Sequence, residues 1–331
     1  MNTPANKTAT HVARLVCLSL TLGILGLAAC GHPAEAHGAD AGWAPSPRFS
    51  VTFPELLNLG FETDVVAHPS QPGDLDVIDV DQDGVPVADD CDDLNADVGI
   101  TNVSVGLDLR DDFADLQEAI NAAVGGDTIC VAAGLYHAPI VIDRSLTVWA
   151  KDGPEATIID SDYNSRGVII EDAGGSILSG FTVRGAHVDG AGGDALGGAG
   201  VLILRSNKTA VLNNIIEDNH VAGSGGGIAV LDSSEVMLAG NDIFDNSASL
   251  GGGVAVANDS LFVTLFENNV SDNEASEVGG GVYMFGAHDA MVQSNTITFN
   301  TAAEHAGGIE IEASNDVEML DNTIDNNTAG Q

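Results

Sequence analysis

A segment near residue 80 places carboxylates at the intervals that suit a hard cation. Acidic side chains occupy positions 1, 3, 5 and 12 of a twelve-residue segment, a glycine occupies position 6, and position 7 can offer its main-chain carbonyl. This spacing directs about six oxygen atoms at one point, as Ca²⁺ requires, while the glycine permits the sharp turn. The sequence therefore predicts a calcium site. Its predicted ligands are Asp79, Asp81, Asp83, the Val85 carbonyl and Asp90.

This loop differs from a helix-flanked calcium loop. Position 9 is Val87, so water must serve there, and position 12 is an aspartate rather than a longer glutamate. With Cys91-Asp92-Asp93 following, the segment over residues 79–97 resembles thrombospondin type 3 calcium repeats and the Asp-Cys-Asp-Asp motif of exported bacterial proteins. That resemblance implies calcium as the cofactor and adds Asp93 to the ligands. The alternative is a solvated acidic linker.

The first 30 residues have the pattern of an export signal. Lys7 and Arg14 precede an apolar run over residues 15–27, which is too short to span a bilayer comfortably. The run ends in Leu27-Ala28-Ala29-Cys30-Gly31, which resembles the lipobox of bacterial lipoproteins. The resemblance implies that Cys30 is lipidated, and that Gly31 after it directs the protein to the bacterial outer membrane. The alternative is an ordinary signal peptide with an incidental cysteine.

Two of the four cysteines remain available for a disulfide in the exported chain. Cys17 would leave with the signal and Cys30 would carry lipid, which leaves Cys91 and Cys130 in an oxidising compartment. A Cys91–Cys130 disulfide is the prediction, and two buried thiols are the alternative.

The remaining segments divide by composition. Residues 31–47 are predicted to form a flexible tether, and residues 48–78 hold some apolar alternation that allows a strand or two. A short amphipathic helix is predicted over residues 112–124, capped by Asp112, with Leu116, Ile120 and Val124 on one face.

From about residue 199 the chain repeats every 27 residues. A fixed period without a helical pattern, with several short apolar runs per unit, predicts a β-solenoid whose coils pair in parallel. We interpret the repeated columns as inward apolar ladders, stacked asparagine amides that accept left-handed turns, and glycines at tight bends. The two asparagine columns are Asn214, Asn241, Asn268, Asn295 and Asn322, and Asn219, Asn246, Asn273, Asn300 and Asn327. The main apolar ladder is Val211, Leu238, Leu265, Val292 and Met319.

Two stretches carry a resemblance at the level of the fold. Leu116-Gln117-Glu118-Ala119-Ile120 through Gly134-Leu135-Tyr136 resembles the opening of pectin-lyase-like proteins. The later Gly-Gly-Gly-Ile/Val and Asn-x-Ile-x-x-Asn coils resemble polymorphic outer-membrane-protein repeats. Together they imply an all-β fold over residues 112–331, a single-stranded right-handed parallel β-helix with a short N-terminal capping helix. The fold hosts lyases, hydrolases, esterases, adhesins and spacers, so it does not imply one activity.

Charge excludes some functions. The 331 residues carry 49 acidic and 10 basic side chains, a net charge of −39, which argues against nucleic acid as a partner. A lyase needs a basic side chain and cationic groups for its uronate, but no lysine or arginine follows Lys208. No catalytic residue is therefore predicted. The basic residues left for an enzyme are Arg144, Lys151, Arg166, Arg184, Arg205 and Lys208.

One acidic column admits two readings. Asp218, Asp245 and Asp272 recur at the repeat period and give way to Phe299 and Asn326. They are expected to face water, and the alternatives are shared cations or catalytic acid pairs. His220 beside Asp218 suggests acid/base work or a variable surface position. Residues 185–200 are expected to interrupt the coil as a projecting loop.

Together these observations predict a lipid-anchored, non-enzymatic protein of the cell envelope. Its membrane contact is the lipid anchor, and its expected role is binding or adhesion to an extracellular glycan or protein. The alternatives are a polysaccharide lyase or hydrolase, and a structural spacer. The last coil stops at Gln331 before its next glycine run. This predicts that the sequence is a fragment or that its open end is covered, with self-association through the C-terminal coil.

Overall fold

The computed structural model describes residues 103–106, 112–189 and 197–330. These residues form a right-handed parallel β-helix of about eight turns with about 27 residues per coil, which confirms the predicted fold class. Among them, no helix has the length and apolar character needed to cross a membrane.

Each complete coil passes through four parallel sheets, numbered here in the order in which the coil that begins at Val201 meets them. Sheet 1 consists of Ile140–Ile142, Val168–Glu171, Val201–Leu204, Ile228–Leu231, Val254–Ala257, Val282–Phe285 and Ile309–Glu312. Sheet 2 consists of Val103–Val105, Thr128–Val131, Thr147–Ala150, Ile177–Ser179, Ala210–Leu212, Met237–Ala239, Thr264–Phe266, Met291–Gln293 and Glu318–Leu320. Sheet 3 consists of Gly134–His137, Thr157–Asp160, Thr182–Arg184, Ile215–Glu217, Asp242–Phe244, Asn269–Ser271, Thr296–Thr298 and Thr323–Asp325. Sheet 4 consists of His187–Val188, His220–Val221, Ser247–Leu250, Glu274–Val278, Thr301–Ala302 and Thr328–Ala329.

The strand register follows the repeat. Val211 pairs with Leu238, which pairs with Leu265, and each step is 27 residues. These side chains point inward and are almost fully buried, as the apolar alternation predicted. The last member of the ladder, Met319, is 39% exposed because it belongs to the last described coil. Self-association through that coil stays a prediction.

The N-terminal helix is shorter than predicted. It spans Leu116–Ala122, and its N-cap is Asp115, whose carboxylate accepts from the Glu118 amide at 2.9 Å. Asp112 is not the cap, because its carboxylate instead accepts from the Ser104 amide and hydroxyl. Val124 lies beyond the helix and is 66% exposed, so its predicted place on the buried face is wrong.

The buried asparagines form two continuous ladders. Within each ladder the Nδ2 of every asparagine but the last donates to the Oδ1 of the asparagine one coil further on, at 2.9–3.1 Å. The predicted left-handed geometry of these asparagines is wrong, because the residue before each of them has the positive φ. Asp245 before Asn246 is one example, at φ 55°. The turn conformation therefore belongs to a half-buried or exposed residue, and the asparagine after it bonds along the axis.

Part of the predicted 185–200 loop belongs to the coil. His187–Val188 is a strand of sheet 4 and pairs in register with His220–Val221. The projecting loop predicted from sequence therefore does not begin at residue 185. Residues 190–196 lie outside the described residues.

Candidate functional site

The corner between sheets 3 and 4 carries an exposed row of functional side chains. Asp218, Asp245 and Asp272 stand at this corner on three successive coils, each at a positive φ of 53–55°. All three are exposed, as expected from sequence. We call these three residues the acid strip. Its carboxylates are carried on successive parallel strands, which are separated by about 4.8 Å.

An aromatic side chain lies at each end of the acid strip. Tyr163 lies on the side of the preceding coil, where its amide donates to the Gly185 carbonyl at 2.7 Å and its hydroxyl donates to the Asp218 carboxylate. Phe299 takes the corner position one coil beyond Asp272. The two rings are 59% and 57% exposed, so both present apolar surface to solvent.

The strip repels itself electrostatically. Burial raises the pKa of Asp245, and the charges of Asp272 and Asp218 raise it further. Burial also raises the pKa of Glu217, on the neighbouring sheet 3 position, against the opposing effect of Arg184. The pKa of Tyr163 is raised by its hydrogen bond to Asp218 and then by that carboxylate's charge. A positive or hydroxyl-bearing ligand would relieve this repulsion.

Beside the strip lies a salt bridge on sheet 3. Arg184 Nε donates to Asp160 Oδ2 at 2.8 Å, and the two residues pair across adjacent strands. Burial alone would raise the pKa of Asp160, but the Asp162 amide and the Arg184 guanidinium outweigh it and lower the pKa. The next position along sheet 3 is Glu217, which pairs with Arg184. The Arg184 guanidinium thus lies between strands that each carry a carboxylate at the paired position.

The four arginines of the described residues all donate to nearby groups of the chain. Arg144 bonds to Asp143 and to the Ala123 carbonyl, and Arg166 bonds to the Gly197 carbonyl. The fourth, Arg205, bonds to two carboxylates, and these hydrogen bonds raise the pKa of its guanidinium.

The predicted calcium ligands and lipid site lie elsewhere in the chain. Asp79, Asp81, Asp83, Val85, Asp90 and Asp93 are outside the described residues, as are Cys30 and Cys91. Cys130 lies in sheet 2, is 5% exposed and takes part in a disulfide. Its pairing with Cys91 stays a prediction.

Sequence reasoning missed Tyr163 and His187 as site residues. Both lie where the coils depart from the regular period: the step from Val183 to its partner Ile216 is 33 residues rather than 27. An alignment at fixed spacing therefore could not bring them beside Asp218 and His220. The available signal was local, namely a tyrosine in the polar turn Asp162-Tyr163-Asn164.

Comparison with models of protein families identifies the fold. The model of the family described as a right handed beta helix region matches residues 148–331. Among curated proteins, none matches this chain. Among solved structures, the pectin methylesterase from Aspergillus niger is 14% identical over 66% of this chain and 85% of its own, with a TM-score of 0.35. The pectate lyase Pel9A is 10% identical over 65% of this chain and 72% of its own, with a TM-score of 0.41. No function is assigned from these structural likenesses.

Proposed function

The chain belongs to the right-handed beta helix family, and from that premise we propose that it is a non-enzymatic, lipid-anchored protein of the bacterial outer membrane that binds an extracellular glycan. The observation that carries this proposal is the acid strip with Tyr163 and Phe299 at its ends. Carboxylates accept hydrogen bonds from sugar hydroxyls, and exposed aromatic rings pack against the apolar faces of sugars. Because the strip is linear and evenly stepped, it suits a chain of sugar units.

Charge narrows the class of glycan. The molecule carries a net charge of −39, and the strip places three of its carboxylates in a row. A polyuronate would be repelled unless many cations intervened. The proposed ligand is therefore a neutral polysaccharide or one with protonated amino groups.

Binding without turnover is favoured by the state of the arginines. A lyase or hydrolase of this fold would draw its cation or base from the early coils, where Arg144, Arg166, Arg184 and Arg205 already donate to neighbouring oxygens. The polysaccharide lyase or hydrolase is the alternative that the experiment must exclude.

The test is affinity electrophoresis against neutral, amino-substituted and uronate polysaccharides, with product formation followed in parallel. We expect retention by a neutral or amino polysaccharide without new reducing ends or unsaturated products. The variant combining Tyr163→Ala and Phe299→Ala should lose most of this retention. Phe262→Ala is the matched control, because Phe262 is also exposed at a positive φ but lies at another corner. Turnover that Arg184→Ala abolishes would establish the enzyme instead, and equal loss in the control would remove the strip from the proposal.

A structural calcium site in residues 79–97 is the second part of the proposal. Its support is the spacing of Asp79, Asp81, Asp83 and Asp90 about Gly84. Asp81→Ala combined with Asp83→Ala should abolish calcium binding at this loop in titration calorimetry. An unchanged stoichiometry would assign the calcium to other residues.

Anchoring through Cys30 is tested by fatty-acid labelling. The exported chain should incorporate labelled palmitate and fractionate with outer membranes, and Cys30→Ser should lose both properties. Labelling that persists in Cys30→Ser would remove the anchor from the proposal.

A further inference from the structure

We propose that His187, Asp189 and His220 form a binding site for a divalent transition-metal ion of the zinc class. The three side chains lie on the outer face of sheet 4, on two successive coils. This site is separate from the oxygen-only calcium loop, and it does not depend on the proposed glycan function.

The fold brings the three ligands together. His187 pairs in register with His220 on adjacent parallel strands, and their rings stack with centroids 4.8 Å apart and an interplanar angle of 26°. His187 and Asp189 are two residues apart along an extended segment, so both side chains emerge on the same face. His187 Nε2 lies 2.6 Å from Asp189 Oδ1.

The ligand atoms lie close enough for one ion. One candidate ligand atom from each of the three residues lies within 4.8 Å of the other two. Zinc bonds of about 2.0–2.2 Å to nitrogen and oxygen place neighbouring ligand atoms roughly 3–4 Å apart. Small side-chain rotations from the present contacts reach that separation. The residues are half-buried or exposed, so such rotations meet little resistance.

A supporting hydrogen bond orients one of the imidazoles. His220 Nδ1 lies 2.8 Å from Ser247 Oγ on the next coil. When Nδ1–H donates to this hydroxyl, the lone pair of the neutral ring is on Nε2, the atom left to bind metal. Metal-binding histidines commonly use their second nitrogen in this way, which fixes both tautomer and ring orientation. Ser247 is therefore a positioning residue rather than a ligand.

The donor set selects the class of ion. Two imidazole nitrogens and one carboxylate suit Zn²⁺, Cu²⁺ or Ni²⁺, whereas Ca²⁺ prefers oxygen ligands alone. Three protein ligands leave at least one coordination position for water or for an outside ligand. The bound ion would tie two coils together next to Asp218, two residues before His220. The negative field of the whole chain favours cation entry.

The test is titration calorimetry with Zn²⁺ on the full chain after chelation, in excess Ca²⁺ to occupy oxygen-only sites. We expect one zinc site per chain, absent in the variant combining His187→Ala and His220→Ala. Asp189→Asn should weaken binding by about tenfold or more, and Ser247→Ala by roughly 10–100-fold. His288→Ala is the matched control, because His288 also lies at the solenoid surface and bonds to a neighbouring coil through Asn315, but is not part of this cluster. It should bind zinc as the unaltered chain does.

Cobalt supplies an independent readout. Co²⁺ bound at this site should give visible d–d absorption that the double variant lacks, with circular dichroism confirming that the variant is folded. Should the double variant misfold, Asp189→Asn decides alone, since its exposed side chain can be changed without disturbing the core. Unchanged zinc stoichiometry and affinity in the folded double variant or in Asp189→Asn, or equal loss in His288→Ala, would overturn the proposal.

Discussion

At the scale of the residue, each corner between sheets 3 and 4 depends on one residue with a positive φ. Aspartate and asparagine tolerate this conformation because their short polar side chains bond locally. Three of the corners carry aspartate, so the turn chemistry places like charges in a row. The electrostatic consequence is the raised pKa of Asp245, caused by burial and by the carboxylates of Asp272 and Asp218.

Replacing this aspartate should stabilise the protein near neutral pH. Because the pKa of Asp245 is raised in the folded chain, the folded state binds this proton more tightly than the unfolded chain does. The penalty is absent below the unfolded pKa, grows as pH rises through the interval between the two pKa values, and is complete above the folded one. Asp245→Asn keeps the turn and removes the charge, so urea unfolding at pH 7 should show a gain of a few tenths of a kcal/mol.

The same measurement at acid pH separates charge from conformation. Below the usual range of an aspartate pKa, Asp245→Asn and the unaltered chain should unfold alike. Asp321→Asn is the control, since Asp321 has a positive φ of 54° but follows Ser294, rather than a carboxylate, one coil earlier, and it lies in the last described coil. A gain that persists at acid pH, or that is equally large in the control, would contradict the electrostatic account.

At the scale of the element, the asparagine ladders hold the coils in register. Asn268 accepts from both the amide and the side chain of Asn241, and donates to the Leu238 carbonyl and to Asn295. All four asparagine and leucine residues are buried, so no water can replace a missing partner. The ladder is thus a continuous chain of hydrogen bonds, and the loss of one asparagine affects the coils on both sides of it.

Removing the side-chain amide of one ladder asparagine should destabilise the solenoid. Asn268→Ala leaves the buried Asn241 amide and the Leu238 carbonyl unpaired, which should lower the free energy of unfolding by roughly 2–4 kcal/mol in urea titration. Asn269→Ala is the control, because Asn269 is adjacent and only half-buried. Equal losses in the two variants would show that the ladder has no special role.

The glycine runs are required by close approach of the main chain. A Cβ on Gly252 would lie 2.5 Å from the Glu274 carbonyl oxygen and 2.6 Å from that of Gly280. Gly252→Ala should therefore lower stability by roughly 1–3 kcal/mol. Gly125→Ala is the matched control, since its Cβ would meet nothing closer than the Ser145 carbonyl at 4.0 Å. Thermal unfolding that is unchanged in Gly252→Ala would contradict the packing argument.

At the scale of the whole molecule, excess negative charge opposes compaction. The net charge of −39 is spread over a chain with only 10 basic residues. Salt screens such repulsion, because the Debye length falls from about 30 Å at 0.01 M to about 3 Å at 1 M.

The melting temperature should therefore rise with sodium chloride. The rise is expected between about 0.01 and 0.5 M at pH 7, in a chelator so that calcium does not contribute. It should largely vanish at an acid pH where the carboxylates are protonated. A melting temperature independent of salt at pH 7 would contradict the account of charge repulsion.

The amino-acid sequence by itself determined the fold, because every coil of a solenoid repeats the same pattern of buried and exposed side chains. Columns 27 residues apart predicted the inward ladder of Val211, Leu238 and Leu265 and the stacking of asparagine amides, and both are confirmed. Each prediction needed only the alternation of side chains along a strand and the pairing of a coil with its neighbour. The calcium loop and the lipid anchor are also sequence predictions, and they stay so.

Only the tertiary structure decided which side chains meet on the surface. Tyr163 bonds to Asp218 across 55 positions of sequence, and the ring of His187 stacks on that of His220. The early coils have unequal lengths, so an alignment at a fixed period could not predict these contacts. In the structure the helix cap is Asp115 rather than Asp112, and the left-handed residue is the one before each ladder asparagine. The core is fixed by a repeating pattern of burial. The surface site depends on the register between unequal coils, which main-chain pairing sets and local sequence does not.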